Sequence, residues 1–83
     1  MRKITVGIDG MMCGMCESHI NDAIRQKFPQ IKKVSADRKK KQAVILSESD
    51  LDEQTVRETI DATGYTVLSY ASEEYKKKGL FGF

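Results

Sequence analysis

The sequence predicts an α+β, ferredoxin-like βαββαβ sandwich: a four-stranded antiparallel sheet with two helices on one face. Three observations carry that expectation. Apolar residues alternate with period two in four short runs and recur at three-and-four spacing in two longer ones. These runs follow one another in the order β-α-β-β-α-β. The chain has 83 residues, enough for one two-layer core and too few for a second. Right-handed crossovers then interleave the two strand-helix-strand units, which makes the first and third strands central.

The first strand is read over Lys3 to Ile8, where Ile4, Val6 and Ile8 alternate with polar residues until Asp9-Gly10 interrupts them. A cysteine-bearing loop follows. Ile20, Ala23, Ile24 and Phe28 mark the inner face of the first helix, and Pro29 disfavours helical geometry at Phe28, so the helix stops near Lys27. Ile31 to Ala36 reads as the second strand and Arg38-Lys39-Lys40-Lys41 as a solvated turn, placed away from the cysteine loop. Gln42 to Ser47 is the third strand, and its Ala43-Val44-Ile45-Leu46 run suits a central position. Asp50, with Glu53 three residues on, forms a capping arrangement for a second helix whose apolar face is Leu51, Val56 and Ile60. Gly64 ends that helix, and Tyr65 to Ala71 is the last strand. Residues 1–72 form one domain, and residues 73–83 a flexible basic and aromatic tail that ends Lys76-Lys77-Lys78-Gly79-Leu80-Phe81-Gly82-Phe83. On this reading the fold does not need the segment from Glu74 onward.

Composition excludes several function classes. Hydrophobic residues make up 40% and charged residues 31% of the chain, as in ordinary globular domains. No apolar run approaches the length of a membrane span, and the N-terminus enters a strand pattern without a signal-like apolar region. The start and the tail read as those of a free-standing cytoplasmic protein. There a lone cysteine pair stays reduced and is rarely a structural staple. The net charge of +2 gives no general argument for nucleic acid. The central strands also lack the stacking aromatics that an RNA-binding sheet needs.

Both cysteines lie in Gly10-Met11-Met12-Cys13-Gly14-Met15-Cys16, just before the first helix. Two thiols three positions apart can close on one soft metal ion or form a small redox disulfide. Thiolate is the active form in both chemistries, and a helix N-terminus lowers a thiol's pKa. A thiol-disulfide oxidoreductase of thioredoxin type is similar in starting a helix with CxxC, but such enzymes set a cis-proline against the cysteines. The only proline here, Pro29, lies beyond the far end of the first helix.

The segment Gly10-Met11-x-Cys13-x-x-Cys16, the helix behind it and Ala62-Thr63-Gly64-Tyr65 together resemble the heavy-metal-associated domain family. The resemblance runs from about Lys3 to Ala71. It implies that Cys13 and Cys16 bind a soft cation and that Met11 packs inward beneath the loop. A tyrosine at the Tyr65 position is typical of the family's bacterial cytosolic copper chaperones. The implied function is that of a Cu(I) metallochaperone, a carrier and not an enzyme. It would pass copper by thiolate exchange to the metal-binding domain of a copper-transporting ATPase, and a copper-bridged homodimer is a further candidate partner state. Cu(I) accepts two thiolates and leaves its flanks open, whereas Zn(II) prefers four ligands. Zinc and mercury stay open as alternative cargoes.

The neighbouring residues are weighed against plainer roles. Met12 and Met15 carry soft thioethers but read as solvent-exposed. His19 follows Cys16 by three positions and precedes the buried Ile20, so it reads as pointing to solvent. Glu17 departs from the small apolar residue expected there in the family. It reads as a first-turn acid favoured by the helix dipole, although a carboxylate beside the site would suit a harder ion. Tyr65 either caps the core or reaches from behind the loop toward a sulfur.

Overall fold

A computed structural model describes residues 1–75. Its elements are β1 (Arg2–Asp9), α1 (Gly14–Lys27), β2 (Lys33–Asp37), β3 (Gln42–Ser47), α2 (Glu53–Ala62) and β4 (Thr66–Glu74). The strands lie in the order β2-β3-β1-β4, every neighbouring pair antiparallel, so β1 and β3 are central as expected. The architecture is the ferredoxin-like sandwich that the element order predicts. One cluster forms the core: Ile4, Val6 and Ile8 of β1, Ala43 and Ile45 of β3, Ile20 and Ile24 of α1, and Val56 and Ile60 of α2. The two central strands contribute alternate residues and each helix one stripe, the two periodicities by which a sheet and a helix share a face.

Three expectations need correction. The N-cap of α2 is Asp52 and not Asp50. The Asp52 carboxylate accepts from the Thr55 amide at 2.9 Å and from its hydroxyl at 2.7 Å. Asp50 instead accepts from the Leu51 amide and from the Ser72 hydroxyl of β4. The last strand also continues past Ala71 to Glu74, which pairs with Arg2, and the Tyr75 amide donates to the Met1 carbonyl at 2.8 Å. The segment from Glu74 therefore contributes backbone pairing, and a cut there removes it. The Lys76–Phe83 part of the expected tail lies outside the described residues.

The third correction bears on the site. Because β3 runs antiparallel to β1, with Gln42 opposite Gly7, the turn before β3 lies where β1 ends. The Ile8 amide donates to the Lys41 carbonyl at 2.8 Å. Arg38 to Lys41 thus sits at the cysteine end of the sheet, not away from it. No Asn-Gly pair is needed to close this hairpin. The Asp37 carboxylate accepts from the Lys39 and Lys40 amides at 2.9 and 3.2 Å, and Lys41 takes a positive φ of 55°. Aspartate commonly closes turns in this way.

Candidate metal centre

The loop between β1 and α1 is shaped by its first residue. Gly10 has φ +104°, a conformation that side-chain-bearing residues rarely adopt, and a Cβ there would lie 3.3 Å from the Tyr65 ring. The chain turns across the face of Tyr65 and delivers Met11 to the core edge, where it packs partly buried against the cluster. Met11→Ala should therefore lower the stability of the apo protein by about 2 kcal/mol, the low end for a methionine truncation because the side chain is only partly buried. Urea melts paired with a metal titration check this: the larger change should be in the melt, and unchanged stability would remove Met11 as the anchor of the loop.

Cys13 is the N-cap of α1, extended at φ −156° and ψ 179°. Its carbonyl accepts the Cys16 amide at 3.0 Å and starts the helix, while its thiol makes no capping hydrogen bond. Cys16 lies one turn along. Both thiols are free, Cys13 exposed and Cys16 part-buried. Their electrostatic setting favours thiolate at Cys16, whose pKa is lowered to about 7. The chief cause is the hydroxyl of Tyr65 donating toward its sulfur, followed by the backbone N–H groups of Met12 and Cys13; burial opposes them. The same contact raises the Tyr65 hydroxyl, since the phenol is held as a donor to the sulfur. Tyr65 stands just after α2, where Gly64, at φ +97°, lets the chain reverse toward β4.

Met12 and Met15 are 84% and 67% exposed and His19 also faces solvent, so none of the three is drawn in toward the sulfurs by packing. Glu17 stands in the first turn of α1, as read, and has in addition a partner from the β2–β3 turn. Its carboxylate accepts from the Arg38 amide at 2.8 Å and pairs with the Arg38 guanidinium at 3.4 Å. Arg38 is the residue that reading the sequence missed. The antiparallel order of the strands was the available signal, because it returns the basic turn to the end of β1. Among the described residues no three His, Cys, Asp or Glu side chains are grouped to hold a metal ion. What the loop offers is two sulfurs at a solvent-facing helix start, suited to a soft cation of low coordination number.

The heavy-metal-associated domain model matches residues 5–66. No curated protein matches the sequence significantly. Among solved structures, the chain is similar to a copper binding domain from HMA7, a P-type ATPase, at 26% identity and TM-score 0.70, covering 84% of this chain and 97% of that one. It is similar to the copper chaperone Atx1 from Synechocystis PCC6803, a point mutant in a trimeric form, at 25% identity and TM-score 0.66, covering 77% and 97%. The N-terminal domain of ZntA in its apo form shares the fold, at 22% identity and TM-score 0.68, covering 87% and 92%.

Proposed function

The chain belongs to the heavy-metal-associated domain family, and from that premise we propose that it is a Cu(I) carrier which holds its cargo between Cys13 and Cys16 and passes it on by thiolate exchange. The observation that carries this reading is the pair of free thiols at the start of α1 with no third donor grouped beside them among the described residues. Two thiolates satisfy Cu(I), whose open flanks then admit an incoming sulfur; Zn(II) would lack half its preferred ligands. The exposure of Cys13 leaves one sulfur accessible to a partner. Cys16, with its pKa near 7, is substantially thiolate at neutral pH without a strong base beside it. Met11 would hold the loop from below, and Tyr65 would orient Cys16 from behind. Met12, Met15 and His19 stay outside the ligand set.

The partner in this reading is the metal-binding domain of a copper-transporting P-type ATPase, supported by similarity to a copper binding domain from HMA7, a P-type ATPase. Transfer between two modules of one fold requires only that their loops meet, so the protein acts as a carrier without catalysing a covalent change. The proposed setting is the cytosol; among the described residues, no helix is long and apolar enough to cross a membrane. The test is anaerobic competition of the reduced protein against a chromogenic Cu(I) chelator, beside the same titration with Zn(II). Stoichiometric Cu(I) retention with weaker Zn(II) retention is expected, and the reverse order would overturn copper as the cargo. Both thiols lose protons on binding, so retention should weaken as pH falls.

A further inference from the structure

Glu17 and Asn21 stand one turn apart on α1, and each accepts a main-chain N–H from β2 or the turn after it. Asn21 Oδ1 accepts from Ala36 at 2.9 Å, and Glu17 Oε2 accepts from Arg38 at 2.8 Å. Ala36 and Arg38 are two positions apart, and in an antiparallel ladder such amides point to the same edge. β2 is the last strand on its side of the sheet, paired only with β3. The spacings match, since two strand residues advance about 6.6 Å and four helical residues about 6.0 Å. Two side chains of α1 thus supply acceptors that a neighbouring strand would have offered.

The start of α1 has little else to hold it. Its N-cap is Cys13, whose thiol makes no capping hydrogen bond where Ser, Thr, Asp or Asn would satisfy a first-turn amide. No side chain from Gly14 to His19 is buried, and the inner stripe begins at Ile20. The bond that closes the first α-helical turn, from the Glu17 amide to the Cys13 carbonyl, is 3.4 Å, longer than the usual range. Tyr65 meets the Cys16 sulfur, and the Glu17 carboxylate fastens the next residue to the β2–β3 turn.

We propose that Glu17 is a positioning residue for the metal centre. Its bond to the Arg38 amide, backed by that of Asn21, keeps the first turn of α1 wound in the apo protein, so that Cys13 and Cys16 stand together before Cu(I) arrives. Residues three apart face one side of a helix only while the turn is formed. A frayed turn must be rewound on binding, and affinity falls with the fraction of molecules already competent. This deepens the reading of Cys13 and Cys16 as the ligands and rests on it. The Arg38 guanidinium, 3.4 Å from Glu17 Oε1, is not the tie, because a partly solvated ion pair contributes little. The main-chain amide is.

The experiment compares the full chain, reduced, as wild type, E17A, E17Q and R38A. Amide hydrogen exchange of the apo protein is read residue by residue by NMR, and Cu(I) affinity by anaerobic chelator competition. E17A should speed exchange at Cys16 and Arg38 by up to about tenfold, the scale of one hydrogen bond, and lower Cu(I) affinity by a comparable factor. Alanine is the best helix former, so helix propensity would not account for the loss. The Ile45 amide, in a central strand, should keep its protection. E17Q keeps an acceptor without the charge and should restore both readouts, whereas an effect of charge on the helix dipole would leave it like E17A. R38A keeps the amide and should match wild type. Unchanged exchange at Cys16 or unchanged Cu(I) affinity in E17A would overturn the assignment. So would E17Q or R38A as impaired as E17A, or a loss of protection that spreads to Ile45. Glu17 lies outside the core, so E17A is expected to fold; E17L, which also lacks an acceptor, serves the same comparison if it does not. Failure of the wild type to retain Cu(I) would strike the carrier reading, while exchange at Cys16 would still decide whether Glu17 holds the turn.

Discussion

Replacing either Cys13 or Cys16 with serine should abolish tight Cu(I) retention while the apo protein stays folded. A serine hydroxyl remains neutral and protonated where the thiolate is charged and soft, so the remaining sulfur would hold the ion alone. The fold has no comparable stake in these residues. Cys13 makes no side-chain cap, and neither cysteine belongs to the buried cluster of β1, β3, α1 and α2. The measurement is chelator competition on each single variant and on the double, beside their urea midpoints. A double variant that still held one equivalent of copper would move the site elsewhere. A large fall in the midpoint would instead show that the thiols pack the helix start.

Tyr65→Phe should move the titration of Cys16 upward from about 7 toward the ordinary thiol value of 9.0, because it removes the largest of the interactions that lower it. The backbone donors at Met12 and Cys13 remain, so the move is partial. The sign follows from the charge. The hydroxyl stabilises the thiolate and not the thiol, so its loss costs thiolate at neutral pH, by up to about tenfold, and costs little well above pH 9. Iodoacetamide labelling across pH, with mass spectrometry separating Cys16 from Cys13, reads the midpoint directly. The midpoint is the better measure than the rate at one pH, since a more basic thiolate is also intrinsically more nucleophilic. Copper retention in the variant should begin to fail at a higher pH on acidification. An unmoved midpoint would leave Tyr65 as a cap on the sheet end and nothing more.

Several features were legible because one local force decided each. β3 runs over Gln42–Ser47 as read, since an apolar run between two polar turns has no other place than the sheet centre. α1 ends at Lys27 because Pro29 leaves Phe28 outside the helix, at φ −125° and ψ 72°. The α2 cap was misread because Asp50 and Asp52 both stand before an apolar stripe with a polar residue three positions on. The choice between them is made by Leu51. It is buried, and with Asp52 as cap it stands at the position that pairs with buried Val56 in a hydrophobic staple. Asp50 is then free to receive Ser72, a residue 22 positions away, and no local pattern announces such a bond. The site divides along the same line. The cysteines and Met11 could be named from spacing and resemblance, while the Arg38 contact depends on which end of the sheet a turn reaches.

The hydrogen bond from the Tyr75 amide to the Met1 carbonyl has a mechanical consequence. β1 and β4 meet with Arg2 beside Glu74 at one pole and Asp9 beside Thr66 at the other, where the thiols are. Tension applied at Met1 and Tyr75 would load the rungs between these strands in series, Arg2 with Glu74 first. The sheet should peel like a zipper at low force. The rungs next to the cysteine loop would be the last to feel the pull.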